Sequence, residues 1–285
     1  MKNLTIGASG FLGSYLLSSF GGEGTYCNDL DKGLIHLDIR NKSEVEITIQ
    51  KLKPTVIFLP AAISNVEWCQ LNEKEAYLTN VLGTMNVVDA VERHGGKLIY
   101  YSTEYVFDGR NGPYSENDTP NPINVYGQQK LEAEQYVMLK LQNALILRTT
   151  VLYGWEKKGK NFTQRFIDTL RKGNEFRVPI DQISSPTSID DLIAQTIILI
   201  EKKCFGIYNT VGRDVMNRYE FALLICSKFG LNSKLCLGVP TYDLRQIAPR
   251  PLKAGLNTDK LQKETHYEPL TVKQGLELMN RTGSR

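Results

Sequence analysis

The chain opens on a short apolar run, Leu4-Thr5-Ile6, that meets three glycines spaced Gly7-x-x-Gly10-x-x-Gly13 and passes at once into a helical stretch ending near Phe20. Few arrangements satisfy that order. The first glycine allows a sharp turn at the end of a strand, the second lets backbone approach a ligand closely, and the third lets the helix pack on the strand. The helix N-terminus then presents free N–H groups and a positive dipole end, which suit a pyrophosphate. The same rhythm continues downstream. Thr25 to Asp29 reads as a second strand, and Ser43-Glu44-Val45-Glu46 reads as a capping box for a helix to about Lys51. Thr55 to Leu59 reads as a third strand, Glu73 to Glu92 as a long helix stopped by Gly95-Gly96, and Leu98 to Ser102 as a fourth strand. A helix over Tyr126 to Leu141 and a fifth strand over Ala144 to Arg148 complete the series.

Strands alternating with helices of this length require right-handed crossovers and a parallel sheet. The expected fold is therefore α/β, a Rossmann-type doubly wound parallel sheet over residues 1–153. A smaller C-terminal α/β lobe is expected over 154–285, with some segments packing back on the first domain. Its helices are expected at Asn161 to Arg171, Ile189 to Lys202 and Arg218 to Phe229, with a strand at Gly206 to Thr210. The stretch from Pro240 to Pro251 reads as loop.

Composition excludes several classes of function. The 34 basic and 31 acidic residues leave a formal charge of +3, too little to point to nucleic acid or an anionic membrane. The longest apolar stretches, such as Ile193 to Ile200, are too short to span a bilayer. Met1 to Gly7 has no apolar signal-peptide core, so a cytoplasmic protein is expected. Five scattered cysteines without a Cys-x-x-Cys pair, and the isolated His36, His94 and His266, give no metal site.

Two further features carry chemistry. Asp29, at the end of the second strand, can accept hydrogen bonds from an adenosine ribose and disfavours a 2′-phosphate, with Asp31 as a near competitor. Tyr126 and Lys130 stand four apart on one helix face. Reducing a carbonyl requires a proton at oxygen. A free tyrosine, with a pKa of about 10, exchanges protons poorly at neutral pH unless a nearby cation favours the phenolate. Spacing alone does not find the pair. With 14 Tyr and 21 Lys in the chain, roughly one Tyr-x-x-x-Lys is expected by chance, and three occur: Tyr126/Lys130, Tyr136/Lys140 and Tyr153/Lys157. Only Tyr126 follows the fourth strand at a distance that lets its helix flank the cofactor crevice, while Tyr136 stands in the body of the same helix; the strand ends in Ser102-Thr103, hydroxyls at the carboxyl end of a parallel strand, where ligands bind.

The chain resembles the extended short-chain dehydrogenase/reductases, and within them the sugar-nucleotide reductases of the dTDP-4-dehydrorhamnose reductase type. The strings that carry the resemblance are Tyr101-Ser102-Thr103-Glu104-Tyr105-Val106-Phe107-Asp108-Gly109, Asn124-Val125-Tyr126-Gly127-Gln128-Gln129-Lys130, Arg148-Thr149-Thr150-Val151-Leu152-Tyr153-Gly154 and Arg250-Pro251. The resemblance implies reduction of a 4-keto group on a nucleotide-linked deoxysugar with NADPH or NADH. It implies Thr103, Tyr126 and Lys130 as the catalytic triad. It implies cofactor contacts at Gly7, Ser9, Gly10, Phe11, Leu12, Gly13, Asp29, Asp38, Ile39, Ala61, Ala62 and Ile63, and from Tyr126 and Lys130. Of these, Asp38 and Ile39 would hold the adenine. Substrate contacts are implied at Thr103, Glu104, Tyr105 and Val151. A nucleotide sugar is the implied partner, and a homodimer is compatible with it. The sequence departs from the type at Glu104, where an Asp is usual, and at Val151, where an aromatic often stands.

Two other resemblances compete. Sugar-nucleotide 4,6-dehydratases need an Asp-Glu pair after the threonine, but Glu104 is followed by Tyr105, which leaves epimerases as the nearer rival of that kind. The chain also resembles the regulatory beta subunit of methionine adenosyltransferase, which implies a nucleotide-binding role without catalysis.

Overall fold

The computed structural model describes residues 2–28 and 31–283. The chain divides into two compact units that are not contiguous in sequence. The first comprises residues 1–106, 122–147 and 203–208, and the second 107–121, 148–202 and 209–285. The second unit is of comparable size, because it also takes the segment 107–121.

The first unit is built on β1 (Asn3–Thr5), α1 (Phe11–Phe20), β2 (Glu23–Tyr26), β3 (Ile35–His36), α2 (Lys42–Leu52) and β4 (Val56–Leu59). These are followed by α3 (Val66–Leu71), α4 (Glu73–Tyr77), α5 (Thr84–His94), β5 (Lys97–Thr103), α6 (Val125–Lys140) and β6 (Leu145–Thr149). The parallel seven-stranded sheet runs in the order Gly206–Asn209, β6, β5, β4, β1, β2, β3. β1 thus pairs with β4 on one side and β2 on the other, so the winding reverses at its carboxyl end, where such sheets open a ligand crevice. Every residue of β4 is buried, as expected for a strand covered on both faces. Leu4, Ile57, Leu98, Val87, Val137 and Ile146 form one core, each full burial contributing about 1.5–3 kcal/mol.

Two local expectations are corrected. The cap of α2 is Asn41, whose side chain accepts from the Ser43 and Glu44 N–H groups, not a box opened by Ser43. The long helix expected over Glu73 to Glu92 is three pieces, because Leu78–Gly83 widens into a π-helical segment between α4 and α5. Gly95, at φ 85°, ends α5 as expected.

The second unit holds α7 (Phe162–Arg171), α8 (Ile189–Glu201) and α9 (Arg218–Phe229), short two-stranded pairings, and the helices Asp259–Thr265 and Val272–Thr282. Its core gathers Phe166, Phe221, Ile225 and Leu276. The buried Asp191 is stabilised by hydrogen bonds from Tyr267 Oη (2.7 Å), Gln195 Nε2 (2.9 Å) and the Leu270 amide (3.1 Å). No described helix is long and apolar enough to cross a membrane.

Candidate active site

The turn after β1 is held from both sides. The Gly7 amide donates to Thr25 Oγ1 at 3.1 Å, and the Gly10 amide donates to the Gly7 carbonyl at 3.1 Å. Gly7 has φ 94°, and a Cβ there would fall 2.9 Å from that of Ala61. At Gly13 a Cβ would lie 2.1 Å from the Gly7 carbonyl oxygen, so α1 seats on the turn only through a glycine. Gly10 differs: its φ is −86°, and an added Cβ meets only the Gly7 carbonyl oxygen, at 3.3 Å. The first turn of α1 carries no acidic residue and no side-chain cap.

Beside this turn lies a cleft of about 470 Å³. Gly7, Ser9, Gly10, Asp38, Ile39, Ala61, Ala62 and Ile63 line it, so most of the cofactor positions expected from the sequence share one wall system. Phe11, Leu12 and Gly13 form the first turn of α1 and are not among its lining. Asp29 lies outside the described residues. The cleft suits a dinucleotide: an uncapped helix start meets a crowded glycine turn at one place, and an apolar Ile39 beside a carboxylate stands at another.

Sequence reasoning missed several contributors. Asn80, in the π-helical segment, accepts from the Ile63 amide at 2.8 Å and donates to the Ile63 carbonyl at 3.2 Å. It thereby satisfies both backbone groups of a cleft residue. Gly83 lets Ile39 in: a Cβ there would come within 2.6 Å of Ile39 Cγ1. A widened turn has no signature in a 3.6-residue period, so neither role was visible. Arg40 also lines the cleft and forms an ion pair with Asp38 at 2.6 Å.

Thr103, Tyr126 and Lys130 all lie in this same unit, and of the three Thr103 and Tyr126 are in contact. Thr103 ends β5, and its hydroxyl accepts from the Tyr105 amide at 3.2 Å and hydrogen-bonds the Tyr126 phenol. Tyr126 lies in the first turn of α6, which Asn124 caps through the Gly127 amide at 2.8 Å. A Cβ on Gly127 would sit 2.1 Å from the Tyr105 carbonyl oxygen, so glycine brings α6 close under the tyrosine. The Tyr105 ring meets that of Tyr126 edge-on at 5.9 Å. Glu104 is buried on the turn after β5. Val151 belongs to the second unit, where its side chain packs on the core with the unusual φ of 44° for a β-branched residue.

Lys130 is buried, donates to the Tyr101 carbonyl at 2.7 Å, and lies 4.0 Å from the centre of the Tyr100 ring. Burial lowers its pKa to about 7, against which Glu134 pulls upward. Burial also raises the Tyr126 pKa, with Cys69 adding to the rise and Thr103 opposing it. The expected lowering of the phenol is therefore not intrinsic to the protein groups, since desolvation outweighs them. Tyr136, the competing tyrosine, instead donates to Asp89 at 2.6 Å and packs on the sheet core.

The titration of Lys130 has a stability consequence. Its folded pKa lies below the unfolded value of about 10.4. Below pH 7 both states are protonated and the cost of burying the charge is fully present. Between about pH 7 and 10 the unfolded chain holds a proton that the folded one lacks, so this group makes stability rise with pH, by at most about 1.4 kcal/mol per unit. Lys130→Met is expected to flatten that rise in a series of melting temperatures. Parallel curves for parent and variant would contradict it.

Comparison with known proteins adds to this geometry. The model of the RmlD substrate binding domain family matches residues 1–283. The chain belongs to that family. Among RmlD relatives, it is 33% identical to the dTDP-4-dehydrorhamnose reductase of Aggregatibacter actinomycetemcomitans, over 93% of this chain and 94% of that protein. It is 32% identical to methionine adenosyltransferase 2 subunit beta of Xenopus tropicalis, over 80% of this chain and 70% of that one. The crystal structure of dTDP-4-dehydrorhamnose reductase from Bacillus anthracis in complex with NADP superposes with a TM-score of 0.90 at 32% identity, covering 99% of this chain and 100% of the other.

Proposed function

We propose that this protein is an NAD(P)H-dependent oxidoreductase that reduces the 4-keto group of a nucleotide-linked deoxysugar. The observation that carries the reading is the contact between Thr103 and Tyr126 in the unit that also bears Lys130, the glycine turn and its cleft. Its similarity to dTDP-4-dehydrorhamnose reductases over nearly the whole chain supports the same chemistry. A reduced nicotinamide, when held there, would supply the hydride that the keto carbon needs. Thr103 donates a hydrogen bond to the keto oxygen, and Tyr126 delivers its phenolic proton there, so that C=O becomes CH–OH. Lys130 stabilises the phenolate left behind until solvent returns a proton. Asp38 and Ile39 take the adenine, and the turn from Gly7 to Gly13 takes the pyrophosphate. Glu104, Tyr105 and Val151 are assigned to the sugar nucleotide.

The test is NAD(P)H oxidation against a panel of nucleotide-linked 4-keto sugars. Stoichiometric cofactor consumption is expected with at least one of them. An epimerase would consume none. Intact cofactor binding without turnover on any ketone, together with capture of a methionine adenosyltransferase catalytic subunit, would favour the regulatory reading that the second resemblance supports.

A further inference from the structure

Tyr126, Lys130 and Glu134 follow one another at successive turns of the buried face of α6, with Ala133 and Val137 beside them. Residues four apart on a helix are neighbours on its surface. Lys130 and Glu134 are each only 2% exposed, a setting in which charged side chains are rare unless paired. The lysine has a place in the proposed chemistry, and the glutamate has none.

The groups around the pair show which charge acts on the lysine. From β5, the Tyr100 ring lies 4.0 Å from Lys130 Nζ, and the Tyr101 carbonyl accepts from Nζ at 2.7 Å. Burial, and next the charge of Glu134, hold the Tyr100 phenol well above its ordinary range, so it stays protonated. Burial likewise raises Tyr126, and it raises the Cys69 thiol of α3 to about 11. The Thr84 hydroxyl of α5 is given to the Asn80 carbonyl at 2.8 Å. Glu132 and Asp89 accept from Tyr77 and Tyr136, each at 2.6 Å. Glu104 and Tyr105 lie on the turn that packs at Gly127, where the helix begins. Burial works against a charge on Lys130, and the charge that opposes it is that of Glu134.

We infer that Glu134 is a positioning residue for the proton transfer: one helical turn beyond Lys130, its buried carboxylate keeps the ammonium charged while Tyr126 gives its proton to the keto oxygen. The inference rests on the proposed reductase reading and adds what holds the lysine in its working form. No bond to Glu134 forms or breaks. The phenol loses the proton that the keto oxygen gains, and Lys130 keeps its own.

The test has two readouts on the parent, Glu134→Gln, Glu134→Asp, Lys130→Met and the double variant. The first is the pH dependence of kcat/KM for reduction of a nucleotide-linked 4-keto sugar. It should fall on the alkaline side as Lys130 loses its proton, and in Glu134→Gln that fall should begin about one pH unit lower or more. On the acid side of both falls the two proteins should be close. Glu134→Asp, which keeps the charge, should recover most of the shift. The second readout, free of turnover, is the melting temperature against pH. The folded Glu134→Gln protein releases the lysine proton earlier, while the unfolded chain holds it to about pH 10, so the rise of stability with pH should also begin about one unit lower. Glu134→Gln should cost less stability in the Lys130→Met background than in the parent, and that double variant should fold even where Glu134→Gln alone does not. An activity lowered evenly at every pH would mark Glu134 as packing alone and overturn the inference. So would a melting rise that starts at the parent's pH, or an equal cost in both backgrounds. A parent that turns over no ketone would overturn the reductase reading itself, whatever the melting series shows of the pair.

Discussion

Tyr126→Phe is expected to lower turnover by about 10²–10⁴, the range typical of a lost general acid. The ring stays in place against Tyr105, and only the phenol bonded to Thr103 is removed. Cofactor affinity should hold, because the glycine turn and Lys130 are untouched. Tyr136→Phe is the matched control. It has the same spacing to a lysine, but its hydroxyl is given to Asp89. Losing that bond should cost about 1 kcal/mol of stability and leave turnover nearly unchanged. Equal losses of turnover at both tyrosines would show that the reacting site is elsewhere.

Gly13→Ala and Gly10→Val should separate folding from binding. At Gly13 the new methyl would fall 2.1 Å from a carbonyl oxygen and 2.8 Å from its carbon, both backbone, so α1 must move off the turn. A loss of about 3 kcal/mol or more is expected, which for a domain of this size lowers the melting temperature by roughly 6–12 °C. At Gly10 the nearest obstacle lies at 3.3 Å, and the backbone is in a region open to any residue. Gly10→Val should therefore melt within a few degrees of the parent while losing cofactor affinity, since its branches crowd the pyrophosphate position. A folded Gly10→Val that binds NADPH as tightly as the parent would remove this turn from the site.

Much of this was legible from local sequence, because local rules decide it. The alternation of apolar runs with amphipathic stretches gave the parallel sheet, and Arg218–Phe229 forms a helix over the expected residues. The position of Tyr126 after the fourth strand singled it out from two equal spacings. Other features depend on contacts far apart in the chain and left no periodic trace. Asn80 reaches back 17 residues to Ile63 from a widened turn. The α3 helix, Val66–Leu71, is too short for its pattern to rise above its surroundings. Arg40 adjoins a residue already singled out, yet its grip on Asp38 is a matter of rotamer rather than composition. The limits of the two units escaped for the same reason: residues 107–121 leave the first unit and 203–208 return to it, which only three-dimensional packing decides.

That return bears on how the protein is made. The strand Gly206–Asn209 is the neighbour of β6 and terminates the seven-stranded sheet on that side. All five residues of β6 are buried in the finished protein. While a ribosome is still short of residue 206, Leu145–Thr149 has no partner on its outer side and offers an apolar edge to any other nascent chain. Synthesis must continue for some sixty residues before the sheet can close. A truncation ending between β6 and Gly206 would keep every residue of the proposed triad and every residue that lines the cleft, yet it is expected to aggregate rather than to yield a working miniature.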